Sequence, residues 1–349
     1  MDEYSLYDAF EDLEDLQDSG PFTRIRNAAQ ARRPRLRSQK EQVHKPVEAE
    51  LAELAAEEDI TAIEFTYKAS KTEALWLAES LGFFYQNRWI DDVLQLVKGG
   101  KEASVYLCAA NPSSGLDYLA AKVYRPRRFR SLRNDYLYRE GRDRLDADGN
   151  PIIDDKDLHA MDKRTAYGRQ LSHTSWIEHE VRALNRLSEA GVPVPRVYSR
   201  GQNAILMDYI GDRTMPAPTL NAVQLEPGEG GGLLRPLLEY VELALSLDII
   251  HGDLSAYNIL YWEGDVTLID FPQVVSPLQN RNAYAIFRRD VRRLCEYFAD
   301  QGVTADSKRI SEEMWQRQGL RLTPDVHPGL LDDQDEEDLA FWQGKQDGG

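Results

Sequence analysis

Three polar residues near the middle of the C-terminal half could carry out phosphoryl transfer. Asp253 is followed five residues later by Asn258, and Asp270 ends the apolar run at 266–269. A carboxylate can orient an attacking hydroxyl, and an amide with a second carboxylate can hold Mg²⁺ on the phosphates of ATP. A polar turn before a buried hairpin would explain one of these residues alone. The spacing of all three favours a kinase-type site.

A kinase-type site also needs a lysine on a strand and a glutamate on a helix. The segment LAAKVY supplies Lys122, and Ala120 should share its face of the strand and approach the adenine. Apolar residues at 177, 181, 184 and 187 form a helical stripe. Glu180 lies next to this stripe, whereas Glu178 points elsewhere, so we expect Glu180 to pair with Lys122.

A turn that covers the phosphates is expected before the lysine strand. Residues 96–107 contain a glycine turn at Gly99 and Gly100, followed by alternating apolar positions at Ala103, Val105 and Leu107. Two glycines do not make the GxGxxG loop of ordinary protein kinases, so the turn is a weak signal alone. Its order and spacing relative to Lys122 make it informative.

Six segments together resemble the RIO family of atypical protein kinases: GKEASVY, AAKVY, WIEHEVRALNRL, GVPVPRVY, HGDLSAYNIL and IDFPQ. GKEA and IDFPQ are the most specific, because ordinary kinases carry glycine-rich and DFG sequences there. The resemblance runs from about residue 97 to about 301. It implies an α+β, two-lobed protein-kinase-like fold, with an antiparallel sheet and a helix in the N-lobe and a reduced, mainly helical C-lobe. It also implies ATP and Mg²⁺ as cofactors, with Mn²⁺ as the alternative metal.

The resemblance assigns roles to individual residues. Asp253, Asp270 and Lys122 are the expected catalytic residues, and Asn258 and Asp270 are the expected metal ligands. By kinase analogy, residues 204–211 connect the lobes, and the main chain at 208–210 hydrogen-bonds the adenine edge. The expected nucleotide-binding residues are Lys101, Glu102, Val105, Ala120, Lys122, Glu180, Met207, Asp208, Tyr209, Ile210, Leu260 and Ile269.

The chain departs from the family pattern before GKEA. RIO proteins usually carry Ser-Thr there, but Lys98 and Gly99 stand in this chain, so a hydroxyl expected to touch phosphate is missing. Backbone N–H groups and Lys101 are expected to cradle the phosphates instead.

A second departure from ordinary kinases lies in the metal loop, residues 269–275. Pro272 follows Phe271 there, and a proline fixes φ and removes an N–H. We therefore expect this loop to flip less readily than a DFG loop.

Changes in composition divide the chain into five segments. Residues 1–45 are expected to be disordered, 46–93 to form a helical extension, 94–207 the N-lobe and 208–327 the C-lobe. Residues 328–349 are expected to be an acidic disordered tail. Between Lys122 and Glu180 the chain is longer than a strand-to-helix connection requires, so a flexible insertion is expected at about 125–175, as in RIO relatives.

The formal net charge of −17 hides blocks of both signs. The first twenty residues contain eight acids and no base, whereas residues 24–45 are basic and residues 125–144 hold eight arginines against three acids. The basic segments could bind ribosomal RNA or a pre-ribosomal particle, or they could neutralise the acidic ends of the same chain. Both alternatives stay open.

Several other classes of site are disfavoured. The DADGN turn at 146–150 lacks EF-hand spacing, and the six histidines show no zinc pattern. Cys108 and Cys295 lie in apolar runs, which is typical of a reducing compartment. No apolar stretch reaches membrane-spanning length, and the N-terminal residues do not resemble a signal peptide. A cytoplasmic protein without membrane partners is expected.

Three functions remain compatible with the sequence. The first is a RIO-type Ser/Thr protein kinase that phosphorylates a partner protein or itself. The second is an ATPase-driven ribosome assembly factor, which would form an aspartyl-phosphate at Asp270 as some RIO members do. The third is a small-molecule kinase, since HGDLSAYNIL and IDF also resemble aminoglycoside and choline kinase motifs. GKEA, the Pro-Gln after Phe271 and the short lower lobe argue against the third.

Overall fold

A computed structural model describes residues 65–100, 102–124, 142–226 and 228–321, without the side chain of Thr72. The predicted N-terminal disorder, Lys101, the arginines within 125–141 and the acidic tail lie outside these residues. The described chain belongs to two units. The first contributes residues 69–76, in which helix α1 (Lys71–Gln86) begins. The second comprises residues 65–68 and the described residues from Leu77 onward, and it contains all other elements.

Five antiparallel strands form the N-lobe sheet in the order β1-β2-β3-β5-β4. The third strand is central, and six of its seven residues are buried. That burial explains why its sequence, YLAAKVY, holds one charged residue, Lys122. The predicted glycine turn is present, because the first strand ends at Gly99 and the second begins at Ala103. The strands are β1 (Ile90–Gly99), β2 (Ala103–Ala110), β3 (Tyr118–Tyr124), β4 (Val197–Arg200) and β5 (Ala204–Asp208).

The second half of the predicted insertion is regular structure. Helix α2 (Asp155–Asp162) is followed by the long helix α3 (Ala166–Glu189), which carries Glu180. A Cβ on Gly168 would lie 1.8 Å from the carbonyl oxygen of Ala160, so glycine permits the close packing of α3 on α2. The prediction extended the insertion to 175 because the apolar stripe of α3 starts near Trp176, well after its first turn.

The C-lobe is mainly helical around one apolar core, as predicted. Its helices bury leucine, valine and phenylalanine side chains along their facing sides, including Leu237, Val291 and Phe298. Gly228 is the N-cap of the first C-lobe helix, and Gly230, Gly231 and Gly232 lie in its first turn. No helix in the described ranges is long and apolar enough to cross a bilayer. The elements are α4 (Glu229–Ser246), β6 (Ile259–Trp262), β7 (Asp265–Leu268), α5 (Ala283–Asp300) and α6 (Ser307–Arg317).

Candidate active site

The register of the N-lobe sheet gathers four predicted nucleotide-binding residues on one face. Val105 lies opposite Lys122, and Ala120 lies opposite Met207. Lys122 and Ala120 are two residues apart on β3, so their side chains point the same way. Ala120 and Met207 pack in one buried cluster, with Val105 against its edge. The sheet therefore presents an apolar wall that ends in a lysine.

Lys122 joins three distant segments of the chain. Its Nζ atom lies 2.5 Å from Oε1 of Glu180 on α3 and 2.5 Å from Oδ1 of Asp270. The other carboxylate oxygen of Glu180 accepts a 2.8 Å hydrogen bond from the buried hydroxyl of Tyr124. Glu178 points away and pairs with Arg200 at 2.7 Å. The structure thus brings together the lysine, the helix glutamate and the metal-loop carboxylate.

The charges of these groups stabilise one another. Burial alone would lower the pKa of Lys122, but the carboxylates of Asp270 and Glu180 outweigh it and raise that pKa. Burial would raise the pKa of Asp270, but Lys122, with smaller contributions from Lys98 and His251, lowers it. Lys122 is therefore a cation and Asp270 an anion at neutral pH.

Lys98 stands where RIO proteins usually carry a hydroxyl residue, and no role was predicted for it from the sequence. It lies opposite Val105, which in turn lies opposite Lys122, so the three residues form a row across β1, β2 and β3. Directly opposed residues point to the same face of a sheet. Lys98 therefore lies on the same face of the sheet as Lys122, and its charge helps to lower the pKa of Asp270.

Asn258 organises the loop of residues 251–258, named the catalytic loop here, around Asp253. Its Nδ2 atom donates to the carbonyl oxygen of Asp253 at 2.8 Å and approaches Oδ2 of the same residue at 3.3 Å. His251 accepts from the Asp253 N–H at 3.3 Å, and its other ring nitrogen contacts the Ile269 carbonyl at 3.0 Å. With both ring nitrogens engaged by main chain, His251 ties the loop that carries Asp253 to Ile269.

The metal loop is held against the catalytic loop. Ile250 and Val275 exchange two 2.9 Å backbone hydrogen bonds. Gly252 adopts φ +81°, and a Cβ there would lie 2.2 Å from the carbonyl oxygen of Gln273. Only glycine can therefore stand at 252 without separating the two loops.

Further contacts hold the metal loop itself. Phe271 is buried, packs on His251 with ring centroids 4.5 Å apart, and its N–H points at Glu180 Oε1 at 3.4 Å. Arg142 donates to the carbonyl oxygens of Pro272 at 3.2 Å and Val274 at 2.6 Å. The metal loop is thus fixed from α3, from the catalytic loop and from Arg142.

Asn258 and Asp270 have the chemistry of a magnesium site. Because Nδ2 of Asn258 donates to Asp253, its Oδ1 atom remains as the acceptor that a metal requires. A carboxylate and an amide oxygen are hard ligands, and Mg²⁺ commonly uses one or two protein ligands with substrate phosphates and water. No group of three or more His, Cys, Asp or Glu suited to a metal occurs among the described residues. The pair fits a metal that nucleotide phosphates help to hold.

The hinge, the predicted connection between the lobes at residues 204–211, differs in part from the prediction. The N–H of Asp208 donates to the Arg196 carbonyl at 3.0 Å, because β5 continues through this residue. Its carboxylate accepts from the Arg196 N–H at 2.9 Å and from the Tyr198 hydroxyl at 2.7 Å. The carbonyl of Ile210 accepts from Ala217 N–H at 3.0 Å. Among the hydrogen bonds of the described chain none engages the N–H group of Ile210, which therefore stays the candidate donor for an adenine edge.

Three further residues were predicted to bind the nucleotide: Leu260, Ile269 and Glu102. Leu260 lies on β6, and Ile269 precedes Asp270 with its N–H bonded to the Asn258 carbonyl at 3.0 Å. Glu102 is partly buried in the turn between β1 and β2. The binding of nucleotide by these three residues stays a prediction.

Sequence reasoning missed several residues that shape the site. Tyr124 could have been found, because it is two residues from Lys122 and shares its face of β3. Arg142, Arg289, Asp290 and Arg293 had no such signal, since each acts on a segment at least 37 residues away. Arg293 is the most consequential, because its guanidinium lies 3.0 Å from Oδ1 of Asp253.

Comparison with known proteins gives one family. A model of the RIO domain matches residues 105–310. The RIO-type serine/threonine-protein kinase Rio1 of Haloferax volcanii is 30% identical over 219 residues, which cover 62% of this chain and 66% of that protein. Mouse serine/threonine-protein kinase RIO3 is 35% identical over 130 residues, 37% of this chain and 25% of that one. The chain thus spans from a quarter to just under two thirds of the length of these relatives.

A solved structure is also similar. The crystal structure of the Rio2 kinase from Chaetomium thermophilum matches with a TM-score of 0.47 and 18% identity, covering 81% of this chain and 80% of that one. Human serine/threonine-protein kinase RIO1 is 27% identical over 227 residues, which cover 63% of this chain and 35% of the human protein.

Proposed function

Because the chain belongs to the RIO family, we propose that it transfers the γ-phosphoryl group of ATP to serine or threonine hydroxyls of proteins, its own chain included. The observation that carries this proposal is the meeting of Lys122, Glu180 and Asp270 within 2.5 Å contacts. These residues come from β3, α3 and the metal loop. A lysine held between a helix glutamate and a metal carboxylate is what ATP-dependent phosphoryl transfer requires.

Each of this chain's residues has a defined part in the proposed reaction. Lys122 binds the α- and β-phosphates, and Glu180 holds its ammonium group in place. Asn258 and Asp270 would hold Mg²⁺, which neutralises phosphate charge when it is bound. Asp253 orients the acceptor hydroxyl and receives its proton. The main-chain N–H group of Ile210 would donate a hydrogen bond to the adenine edge.

Incubation of the purified chain with γ-labelled ATP and Mg²⁺ tests this proposal. We expect label on serine or threonine of the chain, and on an added protein acceptor such as casein. Label that appears only as free phosphate, with a hydroxylamine-sensitive adduct at Asp270, would instead support the ATPase-driven assembly factor. Label transferred to an aminoglycoside or choline would support a small-molecule kinase. Asp270→Asn serves as the inactive control, because it keeps the size of the side chain and removes its charge.

A ribosomal partner rests on sequence alone. The arginines of residues 24–45 and 125–141 lie outside the described chain, and the assembly role of RIO proteins comes from the resemblance. If these segments bind RNA phosphates, affinity for a small-subunit ribosomal RNA fragment should fall steeply with salt. Neutralising Arg127, Arg128, Arg130 and Arg133 should flatten that dependence and leave basal ATP turnover intact. Equal affinity before and after neutralisation would contradict RNA binding by this insertion.

A further inference from the structure

The carboxylate of Asp253 is held from two directions. Asn258, five residues later in the same loop, approaches Oδ2 at 3.3 Å. Arg293, forty residues later on α5, donates to Oδ1 at 3.0 Å through Nη1. Two donors on different oxygens fix both the position and the plane of a carboxylate. Asn258 belongs to the kinase motif, whereas Arg293 had no assigned role.

Helix α5 is itself docked on the catalytic loop one residue before Asp253. Asp290 accepts from the Gly252 N–H at 2.9 Å, and Arg289 donates to the Gly252 carbonyl at 2.5 Å. Both side chains are buried and they contact each other at 3.1 Å. Positions 289, 290 and 293 lie on one side of a helix. The backbone that carries Arg293 is therefore fixed relative to Asp253, so forming this ion pair orders side chains and not the backbone.

The exposures of the two side chains show where an acceptor could approach. The Asp253 side chain is 45% exposed, whereas that of Arg293 is 22% exposed. A carboxylate has about four acceptor positions, and the two side-chain donors occupy two of them. Arg293 thus contacts Asp253 from the protein side and leaves the solvent side of the carboxylate for a hydroxyl.

Arginine suits this position chemically. A guanidinium carries only donors and is not deprotonated in proteins, so it cannot compete with Asp253 as a base. Its positive charge offsets the repulsion between the Asp253 carboxylate and incoming phosphate oxygens. Lys122 cannot do this, since Glu180 and Asp270 already hold its ammonium group.

We propose that Arg293 is a positioning residue for phosphoryl transfer, holding Asp253 in the orientation that receives the acceptor proton. This inference rests on the proposed function. In the step concerned, the acceptor oxygen forms a bond to the γ-phosphorus while its proton passes to Asp253. The bond from the γ-phosphorus to the β,γ-bridging oxygen breaks, and ADP leaves with that electron pair. Arg293 exchanges no proton and forms no bond.

A purely structural role makes a different prediction. If Arg293 only tied α5 to the catalytic loop, its loss would lower the melting temperature and impair nucleotide binding along with transfer. A positioning role lowers kcat while the KM for ATP and the melting temperature stay near those of the wild type. A misplacement of about 1 Å at a reacting group costs up to about a hundredfold in rate.

Arg292 provides a matched control. It precedes Arg293 on the same helix, and its side chain is 33% exposed and pairs with Glu296 at 3.8 Å. The variants Arg293→Met and Arg292→Met each remove one charge from α5 and keep a side chain of similar length. Arg293→Lys restores a charge without the planar fork of donors.

The experiment measures transfer from γ-labelled ATP to casein by wild type and variants, with calorimetry of ATP binding and melting temperatures. We expect Arg293→Met to lower kcat about ten- to a hundredfold with the KM for ATP within about twofold. Arg293→Lys should recover part of the loss, and Arg292→Met should stay within about twofold of wild type. If Arg293→Met does not fold, Arg293→Lys should still lower kcat at least about threefold, and Arg292→Lys should not.

Several outcomes would overturn the inference. A kcat for Arg293→Met within threefold of wild type would do so, as would a KM for ATP that rises in proportion to the loss. An Arg293→Lys variant no better than Arg293→Met would also count against it. A wild-type chain that transfers no phosphate would remove the proposed function together with this role. An active wild type with an unaffected Arg293→Met would remove only the role of Arg293.

Discussion

The ammonium group of Lys122 and the carboxylate of Asp270 are in contact at 2.5 Å, although 148 residues separate them in the chain. This ion pair unites the predicted nucleotide lysine on β3 with the predicted metal carboxylate that follows β7. Loss of Lys122 takes from Asp270 its ion-pair partner, whereas loss of the Asp270 charge leaves Lys122 paired with Glu180. Single substitutions here should therefore act on more than one step.

Asp270→Asn tests the metal carboxylate. We expect Mg²⁺-dependent ATP turnover to fall at least about a hundredfold, because the charge that would hold the metal on the phosphates is lost. Turnover and circular dichroism are measured together, so that loss of fold is recognised. Asp265→Asn, at an exposed position of β7, is the matched control and should keep wild-type turnover. Near-normal turnover by folded Asp270→Asn would refute the assignment.

Asp253→Asn and Lys122→Ala should separate chemistry from binding. Asp253 faces the acceptor, so its variant should bind ATP within a few-fold of wild type while transfer falls by roughly 10²–10⁴. Lys122→Ala should weaken both, because it removes a phosphate contact and leaves Glu180 and Asp270 without their shared cation. Calorimetry with ATP distinguishes the two. Equal loss of ATP affinity in both variants would mean that the catalytic loop has been misassigned.

Lys98→Met should weaken ATP binding without changing the maximal rate. Lys98 is exposed and in line with Lys122 across the sheet, so its charge can act on phosphates but is screened by solvent. We expect the KM for ATP to rise about two- to fivefold, more at low salt than at high salt. Lys68→Met, also at an exposed position, is the control. A salt-independent or absent change in KM would show that Lys98 does not reach the nucleotide.

His179 should make stability depend on pH. Burial, followed by the charge of Arg142, lowers its pKa from the ordinary 6.5 to about 4, and its ring contacts the Asp143 carbonyl at 2.6 Å. Between these values the unfolded chain binds a proton that the folded chain does not. This contribution to stability is therefore complete above about pH 6.5 and is lost as pH falls toward 4.

Urea unfolding of wild type and His179→Gln at pH 7.5 and pH 5 measures this contribution. The free energy of unfolding should fall less between the two pH values in the variant, since glutamine has no proton to gain. Carboxylates that titrate in the same range are common to both proteins and cancel in the comparison. Parallel losses in the two proteins would show that His179 is not the group responsible.

The residues of the site that sequence could predict are those with a local signal. Lys122 stands out as one charge in an apolar strand, and Glu180 lies beside an apolar stripe of helical period. Asp253 and Asn258 share one loop. Each of these signals needs fewer than a dozen neighbouring residues to be read, and the structure places Lys122 against Glu180 and Asn258 against Asp253.

The contacts that sequence could not predict depend on how the elements dock. Arg293 reaches Asp253 only because α5 packs on the catalytic loop, and Arg142 reaches the metal loop across 130 residues. The start of α3 was missed because its first turns carry Gly168 and polar residues in place of an apolar stripe. At the hinge, whether Asp208 N–H is open depends on how far β5 pairs with its neighbours. No local pattern specifies that end.

The fixation of the metal loop has a consequence for ligand selectivity. In protein kinases the packing of the aromatic residue in the metal loop sets the active and inactive states, so a ligand can be designed to require its displacement. In this chain Phe271 could leave only with loss of its packing on His251, the paired hydrogen bonds of Ile250 and Val275, and the Arg142 contacts. Compounds of that kind should bind this protein poorly. Discriminating ligands would more profitably exploit Lys98, which is exposed and in line with the buried Lys122 across the sheet.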